Sequence, residues 1–227
     1  MRQLGKEVST TAILVVMALA TATQAQSEPA KGSQNPSLYL TPAYLYSGTG
    51  KDLAQKYQPE LAAMVGRIQH ELKSERFEIM DLSHTPLGGV GLWSNPQMPD
   101  PEARYLGVVA KINIRLPYFP DTEPGRMTDA LDTFGLDLFR IMDQTLEQIP
   151  DPSVKGVAVV LVYSKSDLDD PKFYDQAETA TVFISRERLR EFNTYQMTLQ
   201  KLFDQSIGYY FSGQEARQII FNYLLRA

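Results

Sequence analysis

The stretch "RYLGVVAKINIRL", residues 104–116, limits the possible folds of this chain more than any other segment. Its apolar side chains recur at every second position, and Lys111, Asn113 and Arg115 fall between them. Because side chains alternate across a strand, this pattern predicts a long β-strand with one buried face and one face at least partly in water. Such a strand favours an antiparallel or mixed sheet with helices over one face.

Helical and extended patterns alternate along the rest of the chain. Apolar side chains at helical spacing predict helices over 51–76, with a new start near Gln58, and over 126–150. Further strands are predicted at 77–82, 90–93, 157–164 and 179–185. Ser185 is a suitable N-cap for the helix that starts "RERLREF". The remaining C-terminal third is predicted to be helical, with a break at "GYYFSG".

Together these elements predict a two-layer α+β fold, with a mixed or antiparallel sheet of about four to five strands and helices mainly on one face. The alternative is a three-layer α/β fold with helices on both faces. Residues 38–227 are predicted to form a single domain, preceded by a flexible polar leader at 26–37.

The N-terminus has the features of a secretory signal peptide. Arg2 and Lys6 precede an apolar run of about a dozen residues, and small residues follow before a cleavage site after Ala25. The run is shorter than the roughly 20 residues of a spanning helix, although an uncleaved anchor remains the alternative. Residues 1–25 are therefore predicted to be removed, which leaves an exported protein, periplasmic or secreted, without a membrane span.

Composition excludes several functions. The chain contains no Cys, which excludes disulfides, thiol catalysis and thiolate-bound metals. Removing residues 1–25 takes away Arg2, Lys6 and Glu7, leaving 20 basic and 26 acidic residues and a net charge of −6. An acidic surface argues against nucleic acid as a partner. No cofactor is predicted, and the absence of Cys and of glycosylation sequons favours a bacterial periplasm.

His84 is the only candidate for catalysis that the sequence offers. It follows a predicted strand end and stands beside Asp81 and Ser83, in the loop that also carries Trp93. Loops on a rigid scaffold often hold working residues, but catalytic triads assemble from distant positions and no nucleophile-elbow motif is present. The alternative is a hydrogen-bonded loop histidine without a catalytic role.

Two further patterns suggest binding. Lys111, Asn113 and Arg115 form a polar row along one strand face, which suits an anion-binding groove or an ordinary wet face, and Trp93 suits either a cleft or core packing. Asp167, Asp169 and Asp170 lie in an acidic loop that could hold calcium, or could be a solvated turn, since the spacing of an EF-hand is absent.

These observations support three hypotheses. The first is an exported, non-enzymatic protein that binds an unknown protein or small ligand of the cell envelope through the sheet face and the loop at 83–103. The second is a hydrolase-like enzyme that uses His84 with carboxylates from elsewhere in the chain. The third is a structural subunit of an envelope assembly.

Overall fold

The structure is a computed structural model of the 227-residue chain. The ranges that it describes are 35–46, 48–72, 74, 76–85, 87–95, 100–113, 123–164, 168–172, 177–212 and 215–219. Of residues 123–133 and 210–219 it describes the backbone alone. The predicted signal peptide at 1–25 lies outside these ranges and stays a prediction.

Five α-helices occur in the described ranges: α1 Thr49–Lys56, α2 Gln58–Glu71, α3 Glu123–Gln148, α4 Arg186–Asn193 and α5 Leu199–Asp204. Two short 3-10 helices precede them, Pro36–Tyr39 and Ala43–Leu45. Pro59 stands in the first turn of α2, where its missing N–H has no helical partner to lose. Ser185 caps α4 as predicted, because its hydroxyl accepts a hydrogen bond from the Arg188 amide at 3.3 Å.

The described strand segments are β1 Phe77–Ile79, β2 Val90–Trp93, β3 Arg104–Asn113, β4 Val154–Ser164, β5 Glu178–Ser185, β6 Ile207–Ser212 and β7 Glu215–Ile219. They form one mixed sheet in the order β1-β3-β4-β5-β6-β7, and β2 also pairs with β3. The β3–β4 pair is parallel and is joined through α3, whereas the other pairs are antiparallel. The predicted α+β class is confirmed, with more strands than expected.

β1 and β2 share one edge of β3, because β4 occupies the other edge. β1 pairs with the half of β3 near Ala110, and β2 pairs with the half near Leu106. Between them, the Met80 amide donates to the Val109 carbonyl, and the Val109 amide donates to the Gly89 carbonyl. Met80 and Gly89 therefore both hydrogen-bond to Val109, so that β1 and β2 together form one interrupted edge strand. Residues 81–88 connect the two parts, and we call this connection the excursion.

Gly89 is required at this junction for a steric reason. A Cβ at position 89 would collide with the backbone carbonyl of Met80, which cannot move aside as a side chain could. Gly88 has a φ of 66°, a backbone conformation that glycine adopts without strain. The glycines of "TPLGGVG" thus permit the turn that ends the excursion, and the chain then rejoins the sheet at β2. The sequence predicted this turn before a short strand.

The helices pack against one face of the sheet, which we call the first face. Buried side chains of β3, β4 and β5 line it in alternation: Leu106, Val108, Ala110, Ile112, Val157, Val159, Leu161, Ala180, Val182 and Ile184. They form one core with described side chains of all five helices, among them Leu53, Val65, Phe139, Leu189 and Leu202. The opposite side of the sheet, the second face, carries two smaller clusters without any described helical side chain.

The C-terminal third differs from the prediction. Residues 207–212 and 215–219 form the antiparallel strands β6 and β7, not a break followed by a helix. β6 pairs with β5 over Thr179–Phe183, which is a non-local contact that local helical propensity cannot reveal. This hairpin accounts for the extra strands of the sheet.

Across the described ranges, no helix combines the length and apolar character that a membrane span requires. The predicted leader at 26–37 is described only from residue 35 onward. There the Asn35 side chain caps the first 3-10 helix by accepting from the Ser37 amide at 3.1 Å.

Candidate functional site

The second face of the sheet is buried along β3, contrary to the expected wet face. Lys111 and Asn113 keep only 5% and 1% of their residue surface exposed. The alternation of side chains was correctly predicted, but an alternating strand is wet on its polar side only when nothing covers that side. Arg115, the third member of the predicted polar row, lies outside the described residues.

A group of polar side chains gathers where β3 and β4 end. Lys111 and Asn113 of β3 share the second face with Ser164 of β4 and Thr179 of β5, all of them buried, and Glu78 of β1 stands opposite Lys111. Ser164 is the register partner of Asn113, and Val162 lies between Thr179 and Lys111. The Lys111 ammonium lies 3.1 Å from a carboxylate oxygen of Glu78. We call these five residues the polar cluster. It occupies the carboxyl edge of the only parallel strand pair among the described strands.

The two partners of this ion pair differ in their contact with water. The Lys111 side chain is 7% exposed, whereas the Glu78 side chain is 44% exposed. Glu78 can therefore leave the pair and be hydrated, but Lys111 cannot. Burying a charge is costly unless a partner compensates it, so a negatively charged group that takes the place of Glu78 keeps Lys111 compensated.

The other end of the second face carries aromatic rings, one after another across the strands. Trp93, Tyr105, Phe183 and Tyr209 come from β2, β3, β5 and β6, and we call them the aromatic row. Tyr105 and Phe183 meet edge to face at 5.1 Å, above Ala158 of the strand between them. Phe183 and Tyr209 lie 6.2 Å apart in a similar arrangement. Such edge-to-face contacts are favourable for aromatic quadrupoles.

The connection between β2 and β3 runs beside this row. Its described residues are 94–95 and 100–103, which we call the strap. Asn95 is buried, and it lies close enough to Tyr209 to lower the pKa of that phenol, which burial raises. Burial raises the pKa of Tyr105, and the nearby Asp100 carboxylate and Tyr209 raise it further. The strap therefore spans from the β2 edge of the sheet toward β6.

Trp93 is the only Trp of the chain, and the structure places it half-buried against the sheet. Its indole lies over Gly107, where a Cβ would overlap the ring. The indole Nε1 donates to the Thr41 hydroxyl at 3.0 Å, and that hydroxyl in turn donates to the Val90 carbonyl at 3.2 Å. Packing and hydrogen bonding thus fix the ring; a role for Trp93 in ligand binding stays a prediction.

His84 lies in the excursion at 81–88, in a tight turn around Asp81. The imidazole Nδ1 is 2.8 Å from the Asp81 carboxylate, which also accepts from the Ser83 amide at 2.9 Å and from the Ser83 hydroxyl at 2.5 Å. Burial alone would raise the pKa of Asp81, but the hydrogen bonds from His84 and Ser83 outweigh it and hold that pKa well below its ordinary value.

This turn resembles a catalytic triad in composition but not in arrangement. In a triad the carboxylate binds one imidazole nitrogen and the nucleophile faces the other nitrogen. Here the Ser83 hydroxyl bonds to the Asp81 carboxylate and lies 3.4 Å from the same nitrogen, Nδ1. A hydrolase mechanism through His84 stays a prediction, and it needs a nucleophile other than Ser83.

Tyr39 connects this turn electrostatically to the polar cluster. Burial, together with the carboxylates of Asp81 and Glu78, raises the pKa of Tyr39 to about 12, although a hydrogen bond with Gln69 lowers it. The phenol therefore stays neutral at physiological pH. Its hydrogen bond is with Gln69, and it is not a source of protons near neutral pH.

The calcium candidates lie on the loop after β4. Asp169 is exposed, and the Asp170 carboxylate accepts from the Lys172 amide at 2.8 Å, as in an ordinary Asx turn. Asp167 lies outside the described residues. Within the described ranges there is no group of three His, Cys, Asp or Glu side chains placed to hold a metal ion.

The sequence pattern identified Lys111 and Asn113 but not Glu78, Ser164 or Thr179. Ser164 ends the apolar run "VAVVLVYS", and a polar residue at the carboxyl end of a buried strand is a signal that could have identified it. Thr179 is β-branched, as residues of strands often are, and only the register places it on the same face as Lys111, beyond Val162.

Comparisons with protein-family models, with curated proteins and with solved structures returned no match to this chain.

Proposed function

We propose that this protein is an exported, non-enzymatic binding protein that holds a small carboxylate-bearing molecule at the polar cluster. The observation that carries the proposal is the burial of Lys111 on the same face as Asn113, Ser164 and Thr179, with Glu78 as a more exposed partner. The five residues include an ammonium, an amide and two hydroxyls, all of which are able to donate hydrogen bonds, and the Glu78 carboxylate is the more exposed member of the ion pair.

The position of the cluster supports a binding role. In open sheets with parallel strands, ligands bind beyond the carboxyl ends of those strands. β3 and β4 are parallel, and Asn113 and Ser164 are their last residues and register partners. The N-terminal pattern "MRQLGK…TQAQS" supports export.

The free-energy cost of burying a lysine also supports a binding role. Replacing a buried ion pair by apolar side chains of similar volume is often neutral or stabilising. A chain selected for stability alone gains little from a buried lysine in a sheet. Local rules of folding are most often broken where a protein performs its function.

Thermal unfolding with small carboxylates tests the ligand class. We expect acetate, succinate or citrate to raise the midpoint for the wild-type protein, by roughly 5–10 °C at about 100 times the dissociation constant. Lys111→Met removes the charge, and its midpoint should no longer respond to the ligand. Its stability without ligand should change by about 1 kcal/mol or less, because the exposed Glu78 carboxylate is rehydrated.

Lys155→Met is the matched control, since Lys155 is an exposed lysine of the neighbouring strand β4. It should keep the full response to the carboxylate, and glucose should shift none of the three proteins. The proposal is wrong if no carboxylate stabilises the wild type, or if Lys111→Met responds as strongly as the wild type.

The predicted export has its own measurement. We expect the protein, expressed as the full chain in a bacterium, to appear in the periplasmic fraction with Gln26 as its first residue by mass spectrometry. Retention of residues 1–25 in the membrane fraction would identify an uncleaved anchor, and recovery from the cytoplasm would contradict export.

A further inference from the structure

The ion pair of the polar cluster joins two strands at directly opposite positions. Glu78 of β1 is the register partner of Lys111 of β3. Cross-strand partners stand about 5 Å apart at their Cβ atoms, so two long side chains can meet there without a change of the backbone. The distance of 3.1 Å between the ammonium and a carboxylate oxygen shows that they do.

Glu78 is the carboxylate that a ligand would replace. Its side chain is 44% exposed, while its strand neighbours Phe77 and Ile79 are buried in the core. The nearby Asp81 carboxylate accepts hydrogen bonds from Ser83 and His84 within its own turn, so it is committed there. Glu78 therefore compensates Lys111 in the free protein and is itself in contact with water.

A ligand carboxylate and the Glu78 carboxylate offer the same chemistry to an ammonium. Lys111 has three N–H donors, but two carboxylates beside one buried ammonium would repel each other and leave a net negative charge where there is little water. Exchange of one carboxylate for the other keeps the charge of Lys111 compensated. The carboxylate that is released, Glu78, is the one that water already reaches.

We propose that Glu78 is an internal competitor for the site: its carboxylate holds Lys111 in the free protein, and a ligand carboxylate takes its place while Glu78 moves into water. This inference rests on the proposed function, because it concerns the regulation of the same site. The apparent affinity is reduced in proportion to the fraction of molecules in which Glu78 has left Lys111. A purely structural ion pair would stabilise β1 without any influence on the affinity.

Calorimetric titration of the protein with succinate measures the competition. We expect Glu78→Gln, which keeps the length of the side chain but not its charge, to bind succinate about tenfold more tightly than the wild type. Glu78→Asp keeps the charge but shortens the side chain by one methylene, and its dissociation constant should lie between the other two. Glu187→Gln removes the same charge from an exposed position of α4 and should bind as the wild type does.

The outcomes separate the competition from the proposed function. If the wild type binds succinate and Glu78→Gln binds it no more tightly, the competition is refuted while binding at the polar cluster stands. An equal gain in Glu187→Gln would show an effect of net charge alone, and a Glu78→Asp protein with wild-type affinity would show an effect of the nearby charge without contact. Either result refutes the competition. If neither the wild type nor Glu78→Gln binds acetate, succinate or citrate, both proposals are wrong.

Carbon-13 spectra of the side-chain carboxyl groups test the displacement in the unaltered protein. At saturating succinate the Glu78 Cδ resonance should move toward the position of a hydrated glutamate, whereas the resonance of the exposed Glu187 should stay in place. A Glu78 resonance that is unchanged at saturation would show that succinate binds without displacing Glu78, and this would overturn the proposal.

Discussion

Gly107→Val is expected to destabilise the protein by about 3 kcal/mol, although valine is the better strand former. The Trp93 ring lies where the new side chain would be, so either the indole or strand β3 must move. Moving the indole also breaks its hydrogen bond to Thr41, which adds about 1 kcal/mol to the cost of overpacking. The free energy of unfolding in urea measures the loss.

The emission of Trp93 gives an independent readout of the same change. We expect a red shift in the native Gly107→Val protein, because a displaced indole meets more water. Gly66→Ala is the control: a Cβ there has open space on α2, so the change should stabilise by up to about 1 kcal/mol and leave the emission unaltered. Wild-type stability and emission in Gly107→Val would show that the indole does not occupy this position.

Arg186→Met is expected to lower the free energy of unfolding by about 3 kcal/mol. The Arg186 guanidinium donates to the carbonyls of Leu146 at 2.9 Å, Ile149 at 2.8 Å and Val154 at 3.0 Å. The first two carbonyls belong to the C-terminal end of α3, which lacks helical donors for its last carbonyls and attracts positive charge. A methionine leaves three partly buried carbonyls without this donor.

Two further substitutions separate the hydrogen bonds from the charge. Arg186→Lys keeps the charge but not the planar set of donors, so its loss of stability should be intermediate. Arg190→Met removes an exposed arginine from the same helix and should cost less than about 1 kcal/mol. The proposed link between α3, β4 and α4 would be contradicted if Arg186→Met were as stable as Arg190→Met.

Much of the fold could be predicted because local patterns and tertiary environment agree. The two apolar faces of "VAVVLVYS" match the central position of β4, between β3 and β5. Pro59 and Ser185 mark helix starts by mechanisms that need no tertiary information. Ideal local signals of this kind are readable from the sequence alone.

The errors arose where distant contacts decide the structure. "IGYYFS" forms β6 because β5 offers a free edge, whereas the sequence around it contains helix-forming residues. Lys111 was expected in water because its strand alternates, yet a strand does not reveal whether a second layer covers its polar side. The same argument applies to Ser164 and Thr179, which come to share the face of Lys111 only through the register of β4 and β5.

The excursion at 81–88 shows both what the sequence could predict and what it could not. The sequence predicted a strand over 77–82 and a glycine-permitted turn before Trp93; the turn lies where expected, but β1 already ends at Ile79. It could not show that Met80 and Gly89 meet opposite Val109, because that junction depends on the pairing of both segments with β3. Nor could it show that Ser83 bonds to the Asp81 carboxylate and not to a free imidazole nitrogen.

Chemical-shift mapping of the ¹⁵N-labelled protein tests the central claim most directly. On titration with the carboxylate that stabilises the wild type most, the largest amide shifts should fall at Lys111, Asn113, Ser164 and Thr179. These residues share the carboxyl edge of the parallel pair and its neighbour β5. Shifts concentrated instead around His84 in the excursion, or no saturable shifts at all, would contradict binding at the polar cluster.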